Sequence, residues 1–198
     1  MSAPSALNDT YTGKFTGRLS VQPEFRGETT WLVEKSQVLA VLESLKKDGF
    51  DFLTDLSSVD NSDQEPRFEV VYELLNLSTL QHLRIKTRVA DGEAVPSVVH
   101  LWKTANWHER EAYDMMGITF EGHPDLRRIL MWEGYPYYPL RKEFPLEGKK
   151  TEMPDIAFTK PAPLEGGPFV TSPTGNLLRR EPRARPPEQE DPKRQPQN

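Results

Sequence analysis

A chain of 198 residues with 36% hydrophobic and 28% charged side chains has room for one modest core plus an appendage. Its formal charge of -5 excludes a protein that grips nucleic acid mainly through phosphate electrostatics. The lack of any Cys removes disulfides, thiolate nucleophiles, Cys-ligated zinc and Cys-ligated iron–sulfur clusters together.

The first stretch, 1–27, mixes Ser, Pro, Gly, Asn and Thr with isolated aromatics and is read as an irregular arm. Met1–Tyr11 has no apolar core behind a basic start, so no secretory signal is expected, and no run approaches the roughly 20 apolar residues of a membrane span. Thr29–Val33 is β-branched and aromatic, hence a short strand. Ser36 is placed as an N-cap for a helix carrying Val38, Leu39, Val41, Leu42 and Leu45 at helical spacing. Lys46 and Lys47 suit its C-terminal end, and Gly49 is placed to close it.

Three strands are expected next. Phe50–Val59 runs into an acidic turn, Asp60-Asn61-Ser62-Asp63. Phe68, Val70, Tyr72 and Leu74 alternate with Glu69, Val71, Glu73 and Leu75, and Leu83, Ile85, Thr87 and Val89 alternate with Arg84, Lys86 and Arg88. One face of such a sheet is charged, so helices are expected on the other. The predicted fold is α+β: a small mixed sheet of about four strands packed by helices and followed by an extended Pro-rich tail. A second helical region is expected to start near Pro96. A further helix is read from Asn106 as N-cap, with Glu109 completing a capping box, to Met116 before Gly117. His108, Ala112, Met115 and Met116 share one side; Arg110 and Asp114, and Trp107 and Glu111, lie four apart on a polar side.

From Pro145 onward the chain holds 11 of its 18 prolines and cannot build regular ladders or a core alone. Two readings stand for 147–198: a disordered tail, or an extended strap whose scattered apolar residues, such as Ile156, Phe158 and Phe169, seat in grooves of partner subunits. The domain reading is therefore an arm over 1–27, an α+β domain over 28–146 and a tail over 147–198.

His100, His108 and His123 lie near the acidic cluster Glu109, Glu111 and Asp114, which raises a zinc site. His108-Glu109-Arg110-Glu111-Ala112 begins like H-E-x-x-H, but Ala112 stands where the second ligand must be. There is no G-x-G-x-x-G and no phosphate-cradling loop; Ser57 and Ser58 near Asp55 and Asp60 lack a strand–Ser–helix elbow. Glu109, Glu111 and Asp114 have the chemistry for acid–base work, but their interleaving with Arg110 favours ion pairing. Nine of the 19 aromatic residues fall between Trp102 and Phe144, several on the Gly- and Pro-punctuated stretch Trp132–Phe144. Aromatics and Arg on a loop match a buried protein–protein contact.

Glu109-Arg110-Glu111-Ala112-Tyr113-Asp114-Met115-Met116-Gly117-Ile118 closely resembles the E-R-E-x-x-D-φ-φ-G-I core of the C subunit of the NADH–quinone oxidoreductases (respiratory complex I). The likeness continues through Phe120, Gly122-His123-Pro124 and Leu126–Leu130, and closes on Pro139-Leu140-Arg141-Lys142-Glu143-Phe144-Pro145; it covers Trp31 to Leu146. Trp132–Tyr138 departs from it, carrying aromatics where the family has an acidic turn. The resemblance implies a structural subunit of the hydrophilic arm of a proton-translocating enzyme, supporting electron transfer from NADH to quinone. It implies no catalytic, cofactor or metal residues in this chain, with FMN, iron–sulfur clusters and quinone held by partners. Those partners are the D, B and I subunits of a large hetero-oligomer, with the membrane reached only through them, at the cytoplasmic face. Interface residues are then expected at Trp107, Glu109, Arg110, Glu111, Asp114, His123, Pro124, Arg127, Arg128, Tyr135, Pro139, Leu140, Arg141 and Lys142, with Arg127 or Arg141 pairing with acidic groups of the D subunit. Two rivals are the equivalent subunit of a membrane-bound hydrogenase or another quinone-reducing dehydrogenase, and, more remotely, a metal-dependent hydrolase using His108, Glu109 and His123.

Overall fold

Alternation of period two makes a sheet with one apolar face, and the computed structural model, which describes residues 4–145, shows where each alternating run pairs. Strands β1 (Leu19–Val21), β2 (Thr30–Val33), β3 (Phe52–Asp60), β4 (Phe68–Asn76) and β5 (Gln81–Val89) form one sheet in the order β1-β2-β5-β4-β3. Its β2–β5 pair is parallel and the other pairs are antiparallel, so the sheet is mixed. A second, two-stranded parallel sheet joins β6 (Ala94–Pro96) to β7 (Thr119–Glu121). Helices α1 (Pro4–Lys14), α2 (Lys35–Lys47) and α3 (Ala105–Met116) complete the fold. The chain divides into units Met1–Lys149 and Lys150–Asn198, and every described residue lies in the first; the Pro-rich tail lies outside the described residues.

The core forms where the inward strand positions meet the helices. Phe68, Val70, Tyr72 and Leu74 of β4 face it beside Leu83, Ile85 and Val89 of β5. Helix α2 adds Val38, Val41, Leu42 and Leu45, all fully buried. Each such aliphatic side chain contributes about 1.5–3 kcal/mol relative to exposure. On the opposite face Glu73 meets its register partner Arg84, and Glu69 reaches the diagonal Lys86 at 2.8 Å, so the predicted charged face holds cross-strand pairs of opposite charge. A register shift between Leu53 and Asp55 turns both Leu53 and Leu56 inward, three residues apart, and leaves Phe52 on the surface.

Several local expectations are corrected. The stretch read as an irregular arm holds α1 and β1. Its helical pattern is weak, and tertiary anchors supply what periodicity does not: Trp31 Nε1 donates to Asn8 at 2.7 Å, and the buried Tyr11 hydroxyl donates to Asp48 and lies 3.2 Å from the Ser44 hydroxyl. Burial, with Asp48 beside it, pushes the Tyr11 hydroxyl pKa well up. Helix α2 is capped at Glu34 rather than Ser36, because the Glu34 N–H still bonds to Arg18 across the sheet and the helix starts directly after it. Pro96 ends a strand instead of opening a helix: Val95 is buried and the Ser97 N–H continues the pairing to Glu121 at 2.8 Å. Helix α3 starts at Ala105 with Thr104 as N-cap and no side-chain cap, so the Asn106–Glu109 capping box does not form. Gly117, at φ 78°, ends it as expected.

If α1 is an integral part of the core, Tyr11→Ala will lower unfolding free energy by about 3–5 kcal/mol, as truncation of a buried aromatic does. Urea denaturation of the full chain checks this; a midpoint matching wild type would mean that the segment is dispensable.

Candidate functional site: the α3 signature and the loop it folds

The chemistry-bearing residues of α3 do not line an open cleft. Asp114 is fully buried, and its Oδ2 accepts three successive backbone N–H groups, from Ile129 (3.0 Å), Leu130 (2.7 Å) and Met131 (2.8 Å). Its Oδ1 accepts from Arg128 Nη1 at 2.5 Å. Burial would raise this carboxyl's pKa, but the Met131 N–H, the Arg128 guanidinium and the N–H groups of Leu130 and Ile129 outweigh it and hold it below the usual carboxylate value. One turn earlier, Arg110 donates through Nε and Nη2 to the carbonyls of Arg127 and Arg128, both at 3.1 Å. Helix α3 thus folds the 127–131 loop from both directions, by a cation on its carbonyls and an anion on its amides.

The second loop closes on the helix's C-terminal end. The Leu140 N–H bonds to Met115 O at 3.1 Å, and Arg141 Nε to Met116 O at 2.8 Å, so Pro139-Leu140-Arg141-Lys142 satisfies carbonyls that α3 leaves free. Arg141 also forks onto Asp91 with two 2.9 Å bonds and stacks on Tyr138, its guanidinium carbon 4.7 Å from the ring centroid. Gly117 makes this approach possible. A Cβ there would sit 2.7 Å from the Tyr138 ring and 2.9 Å from Arg141 Nη2. Beside it, Asp60 takes a two-pronged bond from Arg67 at 2.7 Å and the Lys142 N–H at 2.8 Å. The Arg67 bond, against burial, holds the Asp60 carboxyl below its usual pKa.

Glu109 stands apart. It is fully buried, and its Oε1 accepts the Val98 N–H at 2.7 Å. Burial pushes its carboxyl up to about 7 despite the hydrogen bonds from Val98 and Ser97. The polar side predicted for α3 is therefore corrected: Arg110 and Asp114 are interior, as is Glu109, while Trp107 is 62% exposed and Glu111 is on the surface. The reason is that the neighbouring loops bring polar backbone groups to that side of the helix, and these need buried partners.

Of the other predicted interface positions, Arg128 is mostly enclosed, donating to Tyr137 O at 3.1 Å and lying over the rings of Tyr135 and Tyr138. Tyr135 is buried and Arg141 is mostly covered. His123 lies partly buried, its Nε2 3.2 Å from Asn106 O, and Pro139 is partly buried. Pro124, Arg127, Leu140 and Lys142 are exposed; Arg127 pairs with Asp125 at 2.8 Å. Trp107 lies against the Arg110 guanidinium at 5.5 Å. Sequence reasoning passed over Leu130, which is 62% exposed although its N–H is held by Asp114; nothing in Arg128-Ile129-Leu130-Met131 marks which apolar side chain turns outward. It also passed over Asp91, an exposed loop carboxylate whose pairing with Arg141 spans fifty positions. The three histidines are dispersed: His108 faces Asp55 at 3.3 Å and His100 faces Glu43 at 3.8 Å. Among the described residues no group of three His, Asp or Glu is arranged to hold a metal ion.

A family described as respiratory-chain NADH dehydrogenase, 30 Kd subunit, matches residues 31–150, which contain all of this geometry. The chain belongs to that family. Its relatives include the NADH-quinone oxidoreductase C 2 subunit of Rhizobium meliloti (strain 1021), 44% identical over 156 residues covering 77% of this chain and 86% of that one. The NADH-quinone oxidoreductase C subunit of Geotalea uraniireducens (strain Rf4) is 45% identical over 141 residues, 70% of this chain and 86% of the relative. The trypsin-resistant fragment (1-134) of Nqo5 superposes with TM-score 0.57 at 29% identity, covering 64% of this chain and all of the fragment. A chain of the membrane-bound sulfane sulfur reductase, an archaeal respiratory membrane complex, matches with TM-score 0.63 at 22% identity over 72% of this chain and 85% of that one, which shows a shared fold.

For this family member, Asp114→Ala leaves three amides and a guanidinium without their acceptor and is expected to cost about 3–5 kcal/mol in urea unfolding. The pH response of Glu109 has the opposite sign to that of Asp114. A carboxyl raised from 4.5 to about 7 makes the folded state hold its proton longer than the unfolded state, so this group's contribution falls as pH rises from about 4.5 to 7. The depressed Asp114 and Asp60 stabilise at neutral pH and lose that contribution as pH falls through their folded values. Glu109→Gln is expected to gain on the order of 3 kcal/mol relative to wild type between pH 4.5 and pH 8. Parallel stability–pH curves for the two proteins would refute this.

Proposed function

We propose that this chain acts as a docking and aligning subunit in the hydrophilic arm of a proton-translocating NADH–quinone oxidoreductase, without a redox group of its own. Its partners in this reading are the D, B and I subunits, and FMN, iron–sulfur clusters and quinone reside in partner chains. Family membership supports the setting. A sequence without Cys supports the division of labour, since thiolate-held clusters need Cys ligands. No helix among the described residues is long and apolar enough to cross a membrane, which fits a peripheral chain held at the cytoplasmic face through its partners.

The observation that carries the reading is the division of the signature segment. Its buried members hold loops 127–131 and 139–142 onto α3, and what those loops leave outside includes Trp107, Arg127, Leu130 and Leu140, each more than half exposed. Large apolar groups and an arginine displayed on α3 and on the loops it braces match the composition of interface hot spots. Arg127 takes the role foreseen for an Arg facing an acidic group of the D subunit: among the described residues only its Nε is engaged, by Asp125, whereas Nε, Nη1 and Nη2 of Arg141 are all held by Met116 and Asp91. The stretch 147–198 is assigned to strapping partner subunits, and 28–146 to the docking domain.

Trp107→Ala is expected to leave thermal unfolding of the isolated chain within about 0.5 kcal/mol of wild type while weakening assembly by about 2 kcal/mol or more. Arg127→Ala is expected to weaken assembly by about 2–5 kcal/mol if its contact is desolvated. Native-gel assembly and co-purification of subunits at native expression levels check both; normal assembly in both variants would reject this surface as the docking site.

A further inference from the structure

On the outward face of the sheet, carboxylates and cations pair across strands, and Arg88 is the cation that this pairing leaves over. Its register partner on β4 is Glu69. Glu69, however, is bonded to the diagonal Lys86 at 2.8 Å, and Arg88 Nε stays 4.0 Å from it. Arg18, just ahead of β1, has a guanidinium with no ion pair or hydrogen bond among the described residues. By contrast Arg67, Arg84, Arg128 and Arg141 each hold a carboxylate within 2.9 Å.

Register brings the two uncommitted arginines to one end of the sheet. Leu19 of β1 lies opposite Val33 of β2, Leu32 lies beside Lys86 of β5, and Arg88 follows two residues on. Both arginines line an open cavity of about 460 Å³ at this end, together with Leu32 and with Pro66 from the turn ahead of β4. Two more charged residues line it from the start of α2: Lys35, which Glu93 neutralises at 2.7 Å, and Glu34. The lining therefore holds three cations against one carboxylate, in a chain whose formal charge is -5.

Apolar wall and unmatched guanidinium groups in one concavity call for a ligand that brings both an apolar group and negative charge. The volume is within the roughly 300–1,000 Å³ of binding clefts, but small molecules are held where the cleft encloses most of their surface. An open cavity fits a side chain presented by another protein, and arginine is the cation that takes a carboxylate with two parallel bonds. We propose that this cavity seats an acidic segment of a partner protein, with an apolar side chain against Leu32 and Pro66 and Asp or Glu carboxylates on Arg18 and Arg88. None of Trp107, Arg127, Leu130 and Leu140 lines it, and α3 packs on β3, the opposite edge of the sheet from β1. The cavity thus gives the chain a second contact, selected by charge.

Arg18→Lys and Arg88→Lys each keep the positive charge and add an amine that a carbodiimide joins to a touching carboxylate. The complex is purified with either variant, treated with the carbodiimide and digested for mass spectrometry. A zero-length crosslink is expected from position 18 or 88 to an Asp or Glu of another chain. That crosslink is expected to be lost when the remaining arginine is reversed, by Arg88→Glu in the first variant or Arg18→Glu in the second. Crosslinks only to this chain's own carboxylates, such as Glu34 or Glu69, or none at all, in a complex that has assembled would overturn the site while leaving the α3 docking surface untouched. A crosslink to another chain that persists undiminished after charge reversal also overturns it. Should a reversed variant fail to fold, the two lysine variants decide alone, because each keeps a cation at an exposed position.

Discussion

The buried carboxylate of Asp114 is the interaction on which the rest of the site depends. A loop without regular structure carries backbone amides that must be satisfied before it can be held against a core. Three consecutive amides converge on one oxygen of Asp114, and Arg128 neutralises the other. The charge of the carboxylate is what makes the arrangement favourable, because charge-assisted bonds offset the desolvation of an ion that full burial would otherwise penalise. Once that loop is fixed, Arg128 is fixed too, and its guanidinium becomes the surface on which Tyr135 and Tyr138 rest.

The second lock follows from the first. With Arg128 against the Tyr138 ring, Arg141 lies over the same ring and reaches the open carbonyl of Met116. Gly117 is required twice over, by its left-handed backbone and by the closeness of the Tyr138 ring. The contacts then extend to the far end of the sheet, where Asp60, Arg67, Asp91 and Glu143 form a mixed-charge cluster around Arg141. Charges that resemble catalytic equipment in a one-dimensional reading are here the fastenings of two loops. A chain built this way can present side chains rigidly to a neighbour, which is the property an aligning subunit needs.

The reading from sequence succeeded where one short-range rule dominated. The alternating runs of β4 and β5 and the apolar stripe of α2 each bury one face against the core, and that pattern is visible without knowing the partner element. It failed at α1 and at the start of α3. Helix α1 has little apolar periodicity and is held by individual contacts of Asn8 and Tyr11 with β2 and α2. At α3 the spacing leads one to expect a single polar side shared by Arg110, Asp114, Trp107 and Glu111, whereas the first two are buried and the others exposed. The loops overrode that expectation by bringing amides and carbonyls which only those charges satisfy.

The amino-acid sequence by itself determined the family, the sheet's two long central strands, the end of α3 at Gly117 and the absence of thiolate chemistry. These rest on residue identity, local spacing or φ preference, none of which needs a tertiary partner. The tertiary structure alone decided which members of the α3 signature face inward and which outward. Arg110 and Trp107 lie three residues apart on one helix, yet one is buried by carbonyls from the 127–128 loop and the other is left in solvent. That outcome depends on where a distant loop returns, and loop return is fixed by the full set of packing and hydrogen-bond demands of the fold.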